Sequence, residues 1–148
     1  MPHGLIQKAR FGPLDALEVP GAGPTILCFH GYGADASDLA PLAAELGVKA
    51  RWIFPEAPLV LGGGMPSSRA WFPIPEEAFS EINFGRPLEM ADGIPEGLAE
   101  GAAAALACAE ALQVPTDKLV FGGFSQGAMM ALELALSWPK PVAGLFLL

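Results

Sequence analysis

Lys118-Leu-Val-Phe-Gly-Gly-Phe-Ser-Gln-Gly127 is the stretch on which the fold turns. Lys118 to Phe121 ends in three apolar residues, one of them β-branched, as a buried strand requires. Downstream, the segment Gln126 to Trp138 places Met129, Met130, Leu132 and Leu136 where a helix can pack them. Between strand and helix lies Gly123-Phe-Ser-Gln-Gly127, a G-x-S-x-G pattern. So tight a reversal leaves no room for side chains at its flanks, which is why both are glycine. The turn lifts the Ser125 hydroxyl above the sheet at a helix start, where free N–H groups and the helix dipole favour negative charge.

Working outward, the segments keep alternating. Upstream, Leu5 to Arg10 and Leu14 to Val19 read as two strands joined by a turn at Gly12-Pro13, forming one edge of a sheet. Thr25 to Phe29 is a run of β-branched and apolar residues, as a strand covered on both faces would be, and it runs into His30-Gly-Tyr-Gly33. Asp35 to Leu46 is expected to be a helix, with Leu39, Leu42, Ala43 and Leu46 on one face, Asp35, Ser37 and Asp38 capping its start, and Gly47 ending it. Arg51 to Phe54 is a short strand closed by Pro55-Glu-Ala-Pro58. Leu59 to Ile94 shows no sustained periodicity and reads as a long functional loop carrying Trp71, Phe72, Phe79 and Phe84. Pro95 to Gln113 is a helix with an alanine- and leucine-lined face, and Val142 to Leu148 is a last apolar strand. Strands alternating with helices give an α/β fold: a mostly parallel sheet flanked by helices, in one domain over residues 1–148.

Composition narrows the function classes. Of 148 residues, 52% are hydrophobic and 16% charged, with 18 glycines and 15 prolines, so one core with many tight turns is expected. The net charge is −8 and the acidic residues are scattered, which leaves no patch to neutralise phosphates and argues against a nucleic-acid partner. No apolar stretch reaches the ~20 residues that span a bilayer, and the start Met-Pro-His-Gly-Leu5 lacks signal-peptide character, so no stable membrane insertion and a cytoplasmic location are expected. Cys28 and Cys108 read as small buried hydrophobes rather than a disulfide or a nucleophile. The two cysteines and two histidines make no metal-ligand cluster, and no cofactor is expected.

The site is expected at Ser125. Attack by its hydroxyl on a carbonyl creates an oxyanion that the Gln126 backbone N–H can meet. A second donor belongs to the loop after the strand ending at Phe29, with the Tyr32 N–H the choice. His30, at the end of a buried strand, reads as a structural histidine holding that loop, and His3 as a solvated one.

Together His30-Gly-Tyr-Gly-Ala-Asp35, Pro55-Glu-Ala-Pro58, Arg69-Ala-Trp-Phe72 and Gly122-Gly-Phe-Ser-Gln-Gly127 resemble the phospholipase/carboxylesterase family, which includes the acyl-protein thioesterases. The resemblance implies an α/β-hydrolase fold that cleaves carboxylic esters or thioesters of small to medium acyl groups without a cofactor. It implies Ser125 as nucleophile, the Tyr32 and Gln126 amides as oxyanion hole, and Met65, Trp71 and Phe72 as walls of the acyl pocket. The family also supplies an Asp and a His after the serine. Here neither follows Ser125, and Glu133, the sole later carboxylate, lies eight residues along the helix and reads as a surface residue. The final apolar strand leaves an unpaired edge, so the chain reads as a fragment lacking its last strands, nearly inert alone, completed by a companion C-terminal segment or a homodimer. The alternative is a non-catalytic member of the fold that binds a ligand or partner.

Overall fold

The computed structural model describes residues 5–63, 67–85 and 93–148. The N-terminal hairpin pairs β1 (Gln7–Phe11) with β2 (Leu14–Val19), Phe11 opposite Leu14 across the Gly12-Pro13 turn. Strand β2 runs antiparallel to β4 (Arg51–Pro55), whereas β3 (Thr25–Phe29) lies parallel to β4 on one side and to β7 (Leu119–Gly123) on the other. A last strand, β8 (Gly144–Leu147), is parallel to β7. Among the described residues the main sheet therefore has the order β1-β2-β4-β3-β7-β8, mixed at the hairpin edge and parallel beyond it.

The central position of β3 explains its sequence. All five of its residues are buried, and alternate side chains enter opposite cores. Leu27 and Phe29 join Ile53, Phe121, Met130 and Leu134 beneath α3 (Leu98–Ala111) and α4 (Gln126–Ser137). Ile26 and Cys28 join Trp52, Phe54, Ala40 and Ala43 on the other face. Each large side chain so buried contributes about 1.5–3 kcal/mol relative to exposure. Cys28 and Cys108 are buried free thiols, each pushed up to about 12 by burial, so neither is a thiolate nucleophile.

Three expectations are corrected. The helix expected over Asp35–Leu46 shrinks to α1 (Leu42–Glu45), because Pro41 has no N–H to bond and restrains the residue before it; turns fill Asp35–Leu39 instead. Asp35 does accept bonds from the Ser37 amide and hydroxyl, but as a local turn rather than a helix cap. The stretch read as a structureless loop carries β5 (Leu59–Val60) paired antiparallel with β6 (Arg69–Ala70), and α2 (Glu76–Asn83). The third helix starts three residues later than expected, at Leu98, whose N–H bonds the Pro95 carbonyl. Among the described residues no helix is long and apolar enough to cross a membrane.

Candidate active site

Strand β7 delivers Ser125 and α4 carries the chain away. Ser125 sits at the helix N-cap with φ 54° and ψ −117°, a sparsely populated conformation that costs about 1–3 kcal/mol and persists only where the surroundings enforce it. The surroundings are close. A Cβ on Gly127 would lie 2.0 Å from the Phe29 carbonyl oxygen and 2.5 Å from that of His30, and one on Gly123 would lie 2.4 Å from the Gly127 backbone. The Phe124 amide donates to the Phe29 carbonyl at 3.1 Å, tying the turn to the end of β3. The Ser125 amide donates to the Leu148 carbonyl at 3.0 Å, and the Leu148 amide returns a bond to Gly123 at 2.9 Å. Ser125 itself is exposed.

The loop after β3 lies against this turn, since a Cβ on Gly31 would meet the Phe124 ring at 3.1 Å and its carbonyl oxygen at 3.3 Å. Among the described residues, neither the Tyr32 nor the Gln126 backbone N–H has a hydrogen-bond partner. For Gln126 this follows from its place at the first turn of α4, where amides have no intrahelical acceptor. Among the described residues two unpaired amides thus belong to two abutting segments, one of them directly following exposed Ser125 at the positive end of a helix dipole.

His30 is 1% exposed, and both ring nitrogens are committed. Nε2 accepts the Ala57 N–H at 3.0 Å, which leaves the proton on Nδ1 for donation to the Gly31 carbonyl at 2.8 Å. Burial holds its pKa below the ordinary 6.5, against the opposing pull of the Gly31 bond, Asp35 and Asp38. The ring is a neutral strut between the ends of β3 and β4. Glu133 is exposed on α4.

The remaining expected residues divide. Trp71 and Phe72, expected to wall an acyl pocket, are only 1% and 2% exposed and belong to the larger core cluster, so they line no open cleft among the described residues. Large aromatic rings gain most from complete burial, and here Trp71 packs edge-on against Phe29, centroids 5.2 Å apart, while its Nε1–H donates to the His30 carbonyl at 2.8 Å. Met65 lies outside the described residues.

Two features escaped the sequence reading. The Tyr32 ring, next to its unpaired amide, packs 5.3 Å from the Phe79 ring on α2. The Gln126 side chain is buried and spans to the other loop, its Oε1 accepting the Trp71 amide and its Nε2 donating to the Phe72 carbonyl, each at 2.8 Å. A glutamine inside an otherwise apolar helix face was the only available signal, because a buried amide requires partners.

Comparison with known proteins bears on the fold and the family. A solved structure of esterase PE8 superposes with a TM-score of 0.65 at 26% identity, covering 91% of this chain and 61% of that one. A carboxylesterase from Mesorhizobium loti superposes with a TM-score of 0.68 at 17% identity, over 96% of this chain and 63% of its own, which speaks to the fold alone. The fold is that of the α/β-hydrolases. Acyl-protein thioesterase 1 of Schizosaccharomyces pombe is 33% identical over 127 residues, 82% of this chain. The chain spans 53% of that relative's length. The family model described as Phospholipase/Carboxylesterase matches residues 20–148, and the chain belongs to that family.

Proposed function

We propose that the protein is a serine hydrolase that cleaves carboxylic esters or thioesters of small to medium acyl groups through an acyl-enzyme at Ser125. The observation that carries the reading is exposed Ser125 in its strained turn, followed directly by Gln126 and abutted by the loop that bears Tyr32, with both backbone amides unpaired among the described residues. In this reading Ser125 Oγ attacks the acyl carbonyl carbon while its proton passes to a base. The two amides hold the resulting oxyanion, and collapse expels the alcohol or thiol, which takes the proton. Water then attacks the acyl-serine and releases the carboxylic acid.

His30 is the strut described above, no Asp or His follows Ser125, and Glu133 is turned to solvent. The reading draws the triad acid and base from residues other than these, on a companion C-terminal segment or on a second copy that carries such a segment. Support for such a companion comes from the apolar residues exposed along α4 and β8, namely Met129, Leu132, Leu136, Leu145 and Leu147. These 148 residues alone are then nearly inert, since loss of the triad base costs about 10⁶ in kcat in subtilisin. The buried free thiols suit a reducing compartment, the cytoplasm.

A fluorophosphonate probe on the complete natural polypeptide tests the reading. Labelling that disappears in Ser125→Ala supports it. An unlabelled protein favours instead a non-catalytic member of the fold.

A further inference from the structure

The chemistry proposed above uses only the backbone amide of Gln126, and its side chain is left to be explained. We propose that the Gln126 side chain, with Trp71, is a positioning device that fixes the spacing between the two oxyanion donors. The inference rests on the hydrolase reading.

The connections run through one short segment, residues 69–72. At its start, Arg69 pairs with the loop that carries Tyr32: the Gly33 amide donates to the Arg69 carbonyl at 2.7 Å and the Arg69 amide to the Ala34 carbonyl at 2.9 Å. The Trp71 indole reaches the same loop one residue before Gly31, through its bond to the His30 carbonyl. At its end the segment is gripped by Gln126, through the Trp71 amide and the Phe72 carbonyl. Gln126 thus presents one donor from its backbone, and with its side chain it holds the strap that braces the loop bearing the other.

The residue type suits the task. Trp71 N–H and Phe72 C=O present one donor and one acceptor, and a primary amide supplies the matching acceptor and donor in a single neutral group. Methionine or leucine would pack the same helix face but leave both backbone groups unpaired, and an ionised glutamate would accept from Trp71 yet repel the Phe72 carbonyl. A side chain 3% exposed and bonded at both ends has one arrangement available, as a catalytic frame requires.

The test compares wild type, Gln126→Met and Gln126→Glu in the complete natural polypeptide. Hydrolysis of p-nitrophenyl acetate is measured, with kcat normalised to serines titrated by an organophosphate. Gln126→Met, which keeps the backbone donor, is expected to lose about tenfold to a hundredfold in kcat with KM little changed, the cost of misplacing a reacting geometry by a fraction of an ångström to an ångström. Gln126→Glu is expected to approach wild type at acid pH, where its protonated carboxyl still donates to Phe72, and to fall away from it as pH rises. A kcat ratio of Gln126→Glu to wild type that is flat with pH, or a rise in KM with kcat intact, would overturn the inference while leaving the hydrolase reading standing. Should Gln126→Met not fold, Trp71→Phe takes its place: a kcat loss at constant KM supports the strap, and wild-type kcat overturns it. A wild-type protein that neither hydrolyses nor labels at Ser125 removes the hydrolase reading itself, and the inference with it.

Discussion

The Ser125 amide is bonded to the Leu148 carbonyl at 3.0 Å, so the turn that presents the hydroxyl is held from the far side by the residue that follows β8. Edge strand and candidate nucleophile are mechanically linked. Leu148→Pro deletes the returning bond to Gly123 and is expected to cost about 1–3 kcal/mol, the penalty for an unpaired buried carbonyl. Urea unfolding measures the loss, and fluorophosphonate labelling of Ser125 is expected to slow with it.

The closest packing in the site is backbone on backbone at Gly127. Because neither the Phe29 nor the His30 carbonyl can swing aside as a side-chain tip would, Gly127→Ala is expected to destabilise by at least about 3 kcal/mol. A thermal melt close to that of wild type would contradict the close approach.

Gly101, inside α3, makes a similar case against helix propensity. Alanine is favoured over glycine there by about 1 kcal/mol, yet a Cβ would lie 2.2 Å from the Trp71 carbonyl oxygen. Gly101→Ala is therefore expected to lower the melting temperature rather than raise it, and differential scanning calorimetry gives the sign.

His30 sets a pH dependence. Its folded pKa lies below the ordinary 6.5, with burial the leading cause, so between those two values the unfolded chain binds more protons than the native one. Stability from this group is complete above about pH 6.5 and is lost as pH falls toward the folded value. Glu56 acts in the opposite sense, because burial raises its carboxyl above 4.5 and stability falls as pH rises from there. His30→Asn is expected to flatten the melting-temperature profile just below pH 6.5 while leaving the Glu56 component, as melts from pH 4 to 8 would record.

How much of this was legible in the sequence depended on whether the cause was local. Thr25–Phe29 could be placed because a strand buried on both faces draws on β-branched and apolar residues without polar alternation, and the elbow because glycine is required on both flanks of the serine. Over Asp35–Leu46 the apolar spacing reads as a full helix, whereas Pro41 confines α1 to Leu42–Glu45. Helix α2 is two turns long between proline-rich flanks, and β5 and β6 are two residues each, too short for either period to register. The burial of Trp71 and the grip of Gln126 on residue 71, 55 positions away, are tertiary facts with no local signature. His30 was legible as structural because it ends a buried strand, although the partner that fixes its tautomer, Ala57, was not.

The proposed chemistry turns on one oxygen and two amides. A crystal structure of the complete polypeptide after reaction with a fluorophosphonate is expected to show phosphorus bonded to Ser125 Oγ, with one phosphoryl oxygen within about 2.7–3.1 Å of both the Tyr32 and Gln126 backbone nitrogens. An adduct whose oxygen meets neither amide, or a Ser125 left unmodified at saturating probe, would contradict it.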